Sequence, residues 1–331
     1  IMHNRYSKPV YLVVDDEEVQ IRDAMHLWGR DTWETTDILK SELGQSFSVM
    51  SIGQAGENLV RYATVVVDYQ HAAGRSHVGA VLGSKKLKAI AVRGTKKLAP
   101  KSARAFEVAV KKCVQRILEY PGWKAREEAG SIGVLMPEYA EVAKQSLVRG
   151  PEFGFCPCLM GSYYGCTLTT RIKEGEYAGT NIVAAGLSLY SAMAKTLGVS
   201  LPAAWKLKEV HNRYGLDYWY GPIAFAMRLF QQGIITRAET DGLELLQGNA
   251  PDIINMLGKI AGKEGLGAAL AEGSERASRI IGRGSDKFVQ TIKGLEFGGD
   301  PRAIRVEHQL SYLVNPRGGD DLKGTHGLSD F

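Results

Sequence analysis

Apolar positions recur with two different spacings along this chain, short and strand-like up to about residue 95 and helical after about residue 101. Val10–Asp15 reads as a strand closed by the polar turn Asp15-Asp16-Glu17-Glu18. Thr32–Leu43 reads as a helix with Asp31 as its N-cap and Leu39 and Leu43 on one face. Ser46–Ile52 and Thr64–Tyr69, each rich in β-branched residues and bounded by turn residues, read as further strands, with Gly53-Gln54-Ala55-Gly56-Glu57-Asn58 between them. Lys88–Arg93 is the last strand of this part, and Lys96-Lys97-Leu98-Ala99-Pro100 reads as a linker.

Helical spacing then takes over. Ala103–Tyr120 places Phe106, Val110, Val114, Ile117 and Leu118 along a helix that stops at Pro121-Gly122. Asn181–Leu197, Ala203–Tyr214, Pro222–Gln232, Arg237–Gln247, Pro251–Lys259 and Gly267–Ile281 are expected as further helices, with Gly or Pro at nearly every junction. A β-rich segment followed by a helical one is the α+β order. No internal repeat or low-complexity tract interrupts it.

Composition narrows this picture. A chain of 331 residues has room for two or three domains, and 44% hydrophobic with 23% charged residues is ordinary for a protein with a packed core. The net charge of +5 is spread along the chain, so no clustered basic patch marks a nucleic-acid partner. No apolar run approaches the ~20 residues a membrane span needs, and the first residues lack the charged-then-apolar pattern of a secretory leader. The opening runs straight into a buried-type strand and the last residues have no terminal character, so the chain reads as a fragment lacking both ends.

Three stretches carry chemistry. Ala72-Ala73-Gly74-Arg75-Ser76-His77-Val78-Gly79, running on through Gly83 to Val92, combines glycines with an arginine ahead of a strand. It reads either as a loop cradling an anionic cofactor or as a glycine-rich turn packed on a sheet. Cys156, Cys158 and Cys166 form a close group of soft ligands suited to an iron–sulfur cluster. A zinc site and unrelated buried thiols are the rivals. Cys113, at apolar spacing in a helix, reads as a small core residue. In His211-Asn212-Arg213-Tyr214-Gly215-Leu216-Asp217 a helix ends at Gly215 and Asp217 caps the next element. That is a complete structural account; the functional one has Asn212, Asp217 and the amides near Leu216 gripping a heterocycle.

Taken in order, these stretches resemble the aldehyde:ferredoxin oxidoreductase family of tungsten or molybdenum enzymes. Ala55-Gly56-Glu57-Asn58-Leu59-Val60-Arg61-Tyr62-Ala63 looks like its AGENxVRYA segment, and Gly74–Gly94 is similar to its GRGGxGAVxGSKxLKAIAVRGT segment. Gly215-Leu216-Asp217, Ile223–Met227, Leu270-Ala271-Glu272-Gly273, Gly294-Leu295-Glu296 and Asp300-Pro301-Arg302 continue the likeness. The resemblance implies three parts: residues 1–97 as the end of a β-rich pterin-binding domain, 98–293 as a helical domain carrying the cluster cysteines, and 294–331 as the start of a further helical domain. It implies a tungsten (or molybdenum) bis-pterin held by Arg75, Ser76, His77, Asn212, Gly215, Leu216 and Asp217. It also implies a [4Fe-4S] cluster on Cys156, Cys158 and Cys166, with the fourth ligand outside this chain.

The implied activity is oxidation of an aldehyde to a carboxylic acid, with electrons leaving through the cluster to ferredoxin or an iron–sulfur partner subunit. Glu176 and His211 are the candidate acid/base groups. A small-molecule substrate, an oligomeric assembly and the cytoplasm of an anaerobe are implied with it. Three positions depart from the family pattern. His77 replaces a glycine, Ala178 stands where a second carboxylate is common, and Asp320-Asp321 replaces a Cys-His pair. These departures keep open an aromatic acyl-CoA reductase of the benzoyl-CoA type and, third, a non-catalytic paralogue.

Overall fold

The computed structural model describes residues 6–96, 99–124, 140–149, 169–183, 193–217, 221–296, 310 and 312–319. Among them the architecture is α+β. A six-stranded sheet runs in the order β2-β1-β6-β3-β4-β5. Its strands are β1 (Val10–Asp15), β2 (Glu18–Asp23), β3 (Ser48–Ser51), β4 (Val66–Val67), β5 (His71–Ala72) and β6 (Leu87–Arg93). Only β1 and β6 run parallel, with Leu12 opposite Ile90, while the other neighbours are antiparallel.

The strand at β1 and the turn after it lie where apolar alternation put them, because Tyr11 and Val13 face a buried cluster with Leu27, Leu39, Val49, Ala89 and Ala91. β2 was not legible in that pattern. Its residues are mostly exposed, Val19 and Ile21 included, as befits an edge strand with no core face to enforce alternation. The strands expected at Ser46–Ile52 and Thr64–Tyr69 contract to the short β3 and β4.

Helix α1 (Thr32–Leu43) is held by a full capping box: Asp31 accepts from the Glu34 amide, and Glu34 accepts from the Asp31 amide. Two short helices follow, α2 (Gln54–Glu57) and α3 (Val78–Ser84). Their contact explains the glycines of this region. A methyl group on Gly83 would lie 1.8 Å from the Gly56 carbonyl oxygen, and one on Gly79 would lie 2.6 Å from that of Thr64. What these two glycines approach is the protein's own backbone.

The helical part comprises α4 (Ala103–Glu119), α5 (Ala140–Ser146), α6 (Leu201–Tyr214), α7 (Gly221–Gln231), α8 (Ala250–Gly262), α9 (Leu266–Leu270) and α10 (Ser274–Ile281). A three-stranded antiparallel sheet of β7 (Leu147–Arg149), β8 (Thr169–Ile172) and β9 (Asn181–Val183) and a two-stranded ribbon, β10 (Thr291–Ile292) with β11 (Leu295–Glu296), complete it. The larger core joins Trp205, Leu207, Phe225, Ile253 and Ile260 to Ala55, Val60 and Ala63 of the first part.

Four expectations are corrected. The helix expected from Asn181 begins instead as β9, which pairs with β8. Arg237–Gln247 is a run of turns, because Asp241 and Gly242 take positive φ and Glu239 accepts from the Thr236 amide and hydroxyl, competing with a helix. Gly267–Ile281 is two helices, broken at Gly273 with φ of 84°. Cys113 is exposed, since α4 buries only Ile117 among the described residues. No helix among the described residues is long and apolar enough to cross a membrane.

Candidate cofactor site

The site is assembled where α6 ends. Gly215 takes the left-handed conformation, φ 69°, and any larger residue there would press on Gly53 and the Thr64 carbonyl. The chain beyond it is stitched to the segment after α2. The Thr64 amide donates to Gly215, the Asp217 amide donates to Tyr62, and Ala63 bridges to Leu216. The helix stop thus fixes Asp217 beside the turn that follows β5.

That turn, a single 3-10 loop at Gly74–Ser76, carries Arg75. Its Nε lies 3.4 Å from Asp217 Oδ2, and its two terminal nitrogens donate to the backbone carbonyls of Glu296 and Gly319. One buried guanidinium therefore ties the first part of the chain to α6, to β11 and to the segment around Gly319. His77 follows in the left-handed conformation, φ 52°, with Nε2 3.2 Å from the same Asp217 oxygen. Arg75, His77, Gly215, Leu216 and Asp217 are thus brought together. Asp217 meets Arg75 and His77, and residues 218–220, which lead into the element it was expected to cap, lie outside the described residues.

Asn212 sits behind this group, fully buried on α6. Its Oδ1 accepts from Lys208 Nζ at 2.6 Å, and its amide nitrogen donates to the carbonyls of Tyr69 and Gln70. Burial lowers Lys208 to a pKa of about 8, with Asp217 pulling the other way. Burial also holds His211 down at about 4, so its ring is neutral at ordinary pH, and Nδ1 donates to the Leu207 carbonyl at 2.7 Å. Glu176 lies on the exposed turn between β8 and β9, beside Tyr177. Of Ser76 only the backbone is described, and Cys156, Cys158, Cys166 and Asp320-Asp321 fall outside the described residues.

Arg75 and His77 open onto a cleft of about 800 Å³ between the Arg61–Tyr62 segment, α10 and the β10–β11 ribbon. Arg61, Arg276, Arg279, Lys293 and Arg317 line it with Arg75, against three glutamates, so its interior favours an anion. Of these basic residues only Arg75 was read as a site residue in the sequence, and two further members were missed although both lie in quoted motifs. Glu296 closes the floor, its Oε1 accepting from the amide and hydroxyl of Ser274 at the start of α10. Tyr62 also lines the cleft, and its hydroxyl is buried with no hydrogen-bond partner among the described residues. Burial, with Glu296 and Asp217 nearby, pushes its pKa well up, so it stays a donor. A buried hydroxyl left unpaired costs about 1–3 kcal/mol. A polar ligand in the cleft would recover that cost, and the residues present fit an anionic, hydrogen-bonding cofactor.

Residues 1–94 match the family model described as aldehyde ferredoxin oxidoreductase, N-terminal domain, and residues 93–329 match the one for its domains 2 and 3. The chain is 32% identical to the tungsten-containing aldehyde ferredoxin oxidoreductases of Pyrococcus furiosus and of Thermococcus kodakarensis, over 98% of its own length and 56% of theirs. It is 27% identical to an aliphatic sulfonate oxidoreductase, WOR-like subunit, of P. furiosus, covering 97% of this chain and 57% of that one. Among solved structures, the active-site complex BamBC of benzoyl coenzyme A reductase with 1,5-dienoyl-CoA superposes with a TM-score of 0.75 at 24% identity, over 95% of this chain and 52% of that chain. The chain thus spans a little over half the length of the relatives it matches.

Proposed function

Since the chain belongs to the aldehyde ferredoxin oxidoreductase family, we propose that it is the pterin-binding and central portion of a tungsten (or molybdenum) enzyme that oxidises an aldehyde to a carboxylic acid. The observation that carries this is the Arg75–Asp217 junction opening onto a cationic cleft with an unpartnered Tyr62 hydroxyl. A bound bis-pterin metal would supply two-electron chemistry, and Cys156, Cys158 and Cys166 would hold a [4Fe-4S] cluster, a one-electron carrier suited to ferredoxin or a partner subunit. The domain division proposed is 1–97, 98–293 and 294–331.

The chain's own residues bind and orient. Arg75 and the amides at Ser76 and His77 line one side of the cofactor, and the Tyr62 hydroxyl donates to an acceptor on it. Gly215 and Leu216 fix the Tyr62–Thr64 backbone that borders it, while Asp217 compensates Arg75. Asn212, already bonded to Lys208, Tyr69 and Gln70, sets the end of α6 behind them. Of the acid/base groups read from the sequence, Glu176 has the exposure to exchange protons with solvent, whereas burial keeps His211 neutral.

An aromatic acyl-CoA reductase is the second reading, favoured by Ala178, which leaves no second carboxylate beside Glu176 at the one position of the β8–β9 turn where aldehyde oxidisers often carry it. Turnover separates the two. The full-length protein is expected to reduce a viologen dye with short-chain and aromatic aldehydes. Activity confined to aromatic CoA thioesters would replace the first reading with the second, and tungsten-free inactive protein would favour the non-catalytic paralogue.

A further inference from the structure

We propose that His77, oriented by Asp217, is the proton-accepting group facing the contents of the cleft. The inference rests on the redox function proposed above and names a residue for its proton. The geometry begins with a residue type out of place. The segment resembling this one has glycine where His77 stands, and His77 takes the left-handed φ of 52° that a glycine adopts freely. A histidine side chain there needs a reason. Its Nε2 meets Asp217 Oδ2 at 3.2 Å. An ionised carboxylate only accepts, so Nε2 carries the proton, and in the neutral ring Nδ1 is the nitrogen with the lone pair.

Nδ1 has no hydrogen-bond partner among the described residues, and the ring lines the same cleft as Arg75 and Tyr62. The imidazole is about a quarter exposed (side chain 23%), so solvent reaches it, whereas Asp217 is buried at 3%. A buried carboxylate holding one ring nitrogen and leaving the other toward a cavity is the arrangement of an oriented base. The two groups first read as acid/base candidates lack it. His211 spends Nδ1 on its own helix, and Glu176 sits on an exposed turn.

The step balances as RCHO + H2O → RCOOH + 2 H+ + 2 e−. The C–H bond and one O–H bond break and a C–O bond forms. The electron pair of the C–H bond leaves to the iron–sulfur acceptor and its proton passes to solvent water, while Nδ1 takes the proton of the attacking oxygen before releasing it to solvent as well. Asp217 is the positioning residue, holding the tautomer and stabilising the imidazolium that forms.

The test uses the natively purified full-length protein and two variants, His77→Gly and His77→Gln. Both should keep wild-type tungsten and pterin content, because Arg75 and Asp217 remain paired. Aldehyde turnover should fall by about 100-fold or more, the usual size of a lost general base. Added imidazole should restore turnover in His77→Gly, which leaves room for it, and not in His77→Gln. Unchanged turnover in either variant would overturn the proposal. So would loss of tungsten from both, which would make His77 an anchor for the cofactor, or failure of imidazole to act on a fully loaded His77→Gly. If the parent reading is wrong, wild-type protein itself lacks both metal and aldehyde turnover, and the proposal falls with it.

Discussion

At the residue scale, the most telling feature is how many polar groups this chain buries near the end of α6. Lys208, Glu209, His211, Asn212 and Asp217 are all less than a tenth exposed, and burying such groups is costly unless each finds a partner. His211 shows the consequence. Its folded-state pKa of about 4 lies below the ordinary value of 6.5, so the unfolded chain takes up a proton that the folded chain refuses. The stability it permits is complete above about pH 6.5 and drains away as pH falls toward 4. The shift corresponds to about 3 kcal/mol at most. Urea unfolding of wild type and His211→Gln between pH 7.5 and 4.5 should therefore show a steeper acid loss in the wild type. Parallel curves would mean that the imidazole is not held neutral by burial.

Arg75, His77 and Asp217 stood out in the sequence, because Gly74–Gly79 and His211–Asp217 are dense in glycine, charge and breakers. Their partners were not. Nothing in the spacing says that Arg75 reaches carbonyls 221 and 244 residues away. Nor does it say that Asp217 turns to a histidine. Tyr62 stood in a quoted motif, but only its unpaired hydroxyl at the cleft marks it as a ligand-facing group.

Elements were read best where a core face enforces the pattern. The spans of β1 and α1 agree with the spacing to the residue, and α6 and α8 to within three residues at each end, because each lays an apolar face on a buried cluster. Spacing failed at β2, which has no buried face, at Arg237–Gln247, where Asp-Gly turn chemistry wins, and at β9, where pairing with β8 overrides local preference.

The glycines of α3 belong to this scale too. They read either as a cradle for a ligand or as a packed turn, and Gly79 and Gly83 serve helix-to-backbone packing. Gly83→Ala would force α3 off Gly56 and disturb the turn that carries Arg75 and His77. A loss of about 3 kcal/mol is expected, at the upper end of ordinary overpacking. It should be visible as a lower thermal midpoint together with reduced tungsten content. A stable, fully loaded Gly83→Ala protein would show that the α2–α3 contact does not support the site.

On the scale of the whole molecule, the chain is held as one piece by elements distant in sequence. Arg75 bridges the β-rich part to β11. The larger core mixes residues from both parts, and Arg213 of α6 pairs with Asp31 at the head of α1 at 2.9 Å. A cofactor lying at such a junction would be gripped from both parts at once, as a large, charged, two-pterin group requires.

The central claim, that this junction holds a metal-bearing pterin cofactor beside an iron–sulfur cluster, is tested most directly by elemental analysis of natively purified full-length protein. About one tungsten (or molybdenum) and four irons per chain are expected, the contents of one bis-pterin metal and one [4Fe-4S] cluster. Zinc with neither iron nor tungsten would assign Cys156, Cys158 and Cys166 to a structural metal and contradict the redox function.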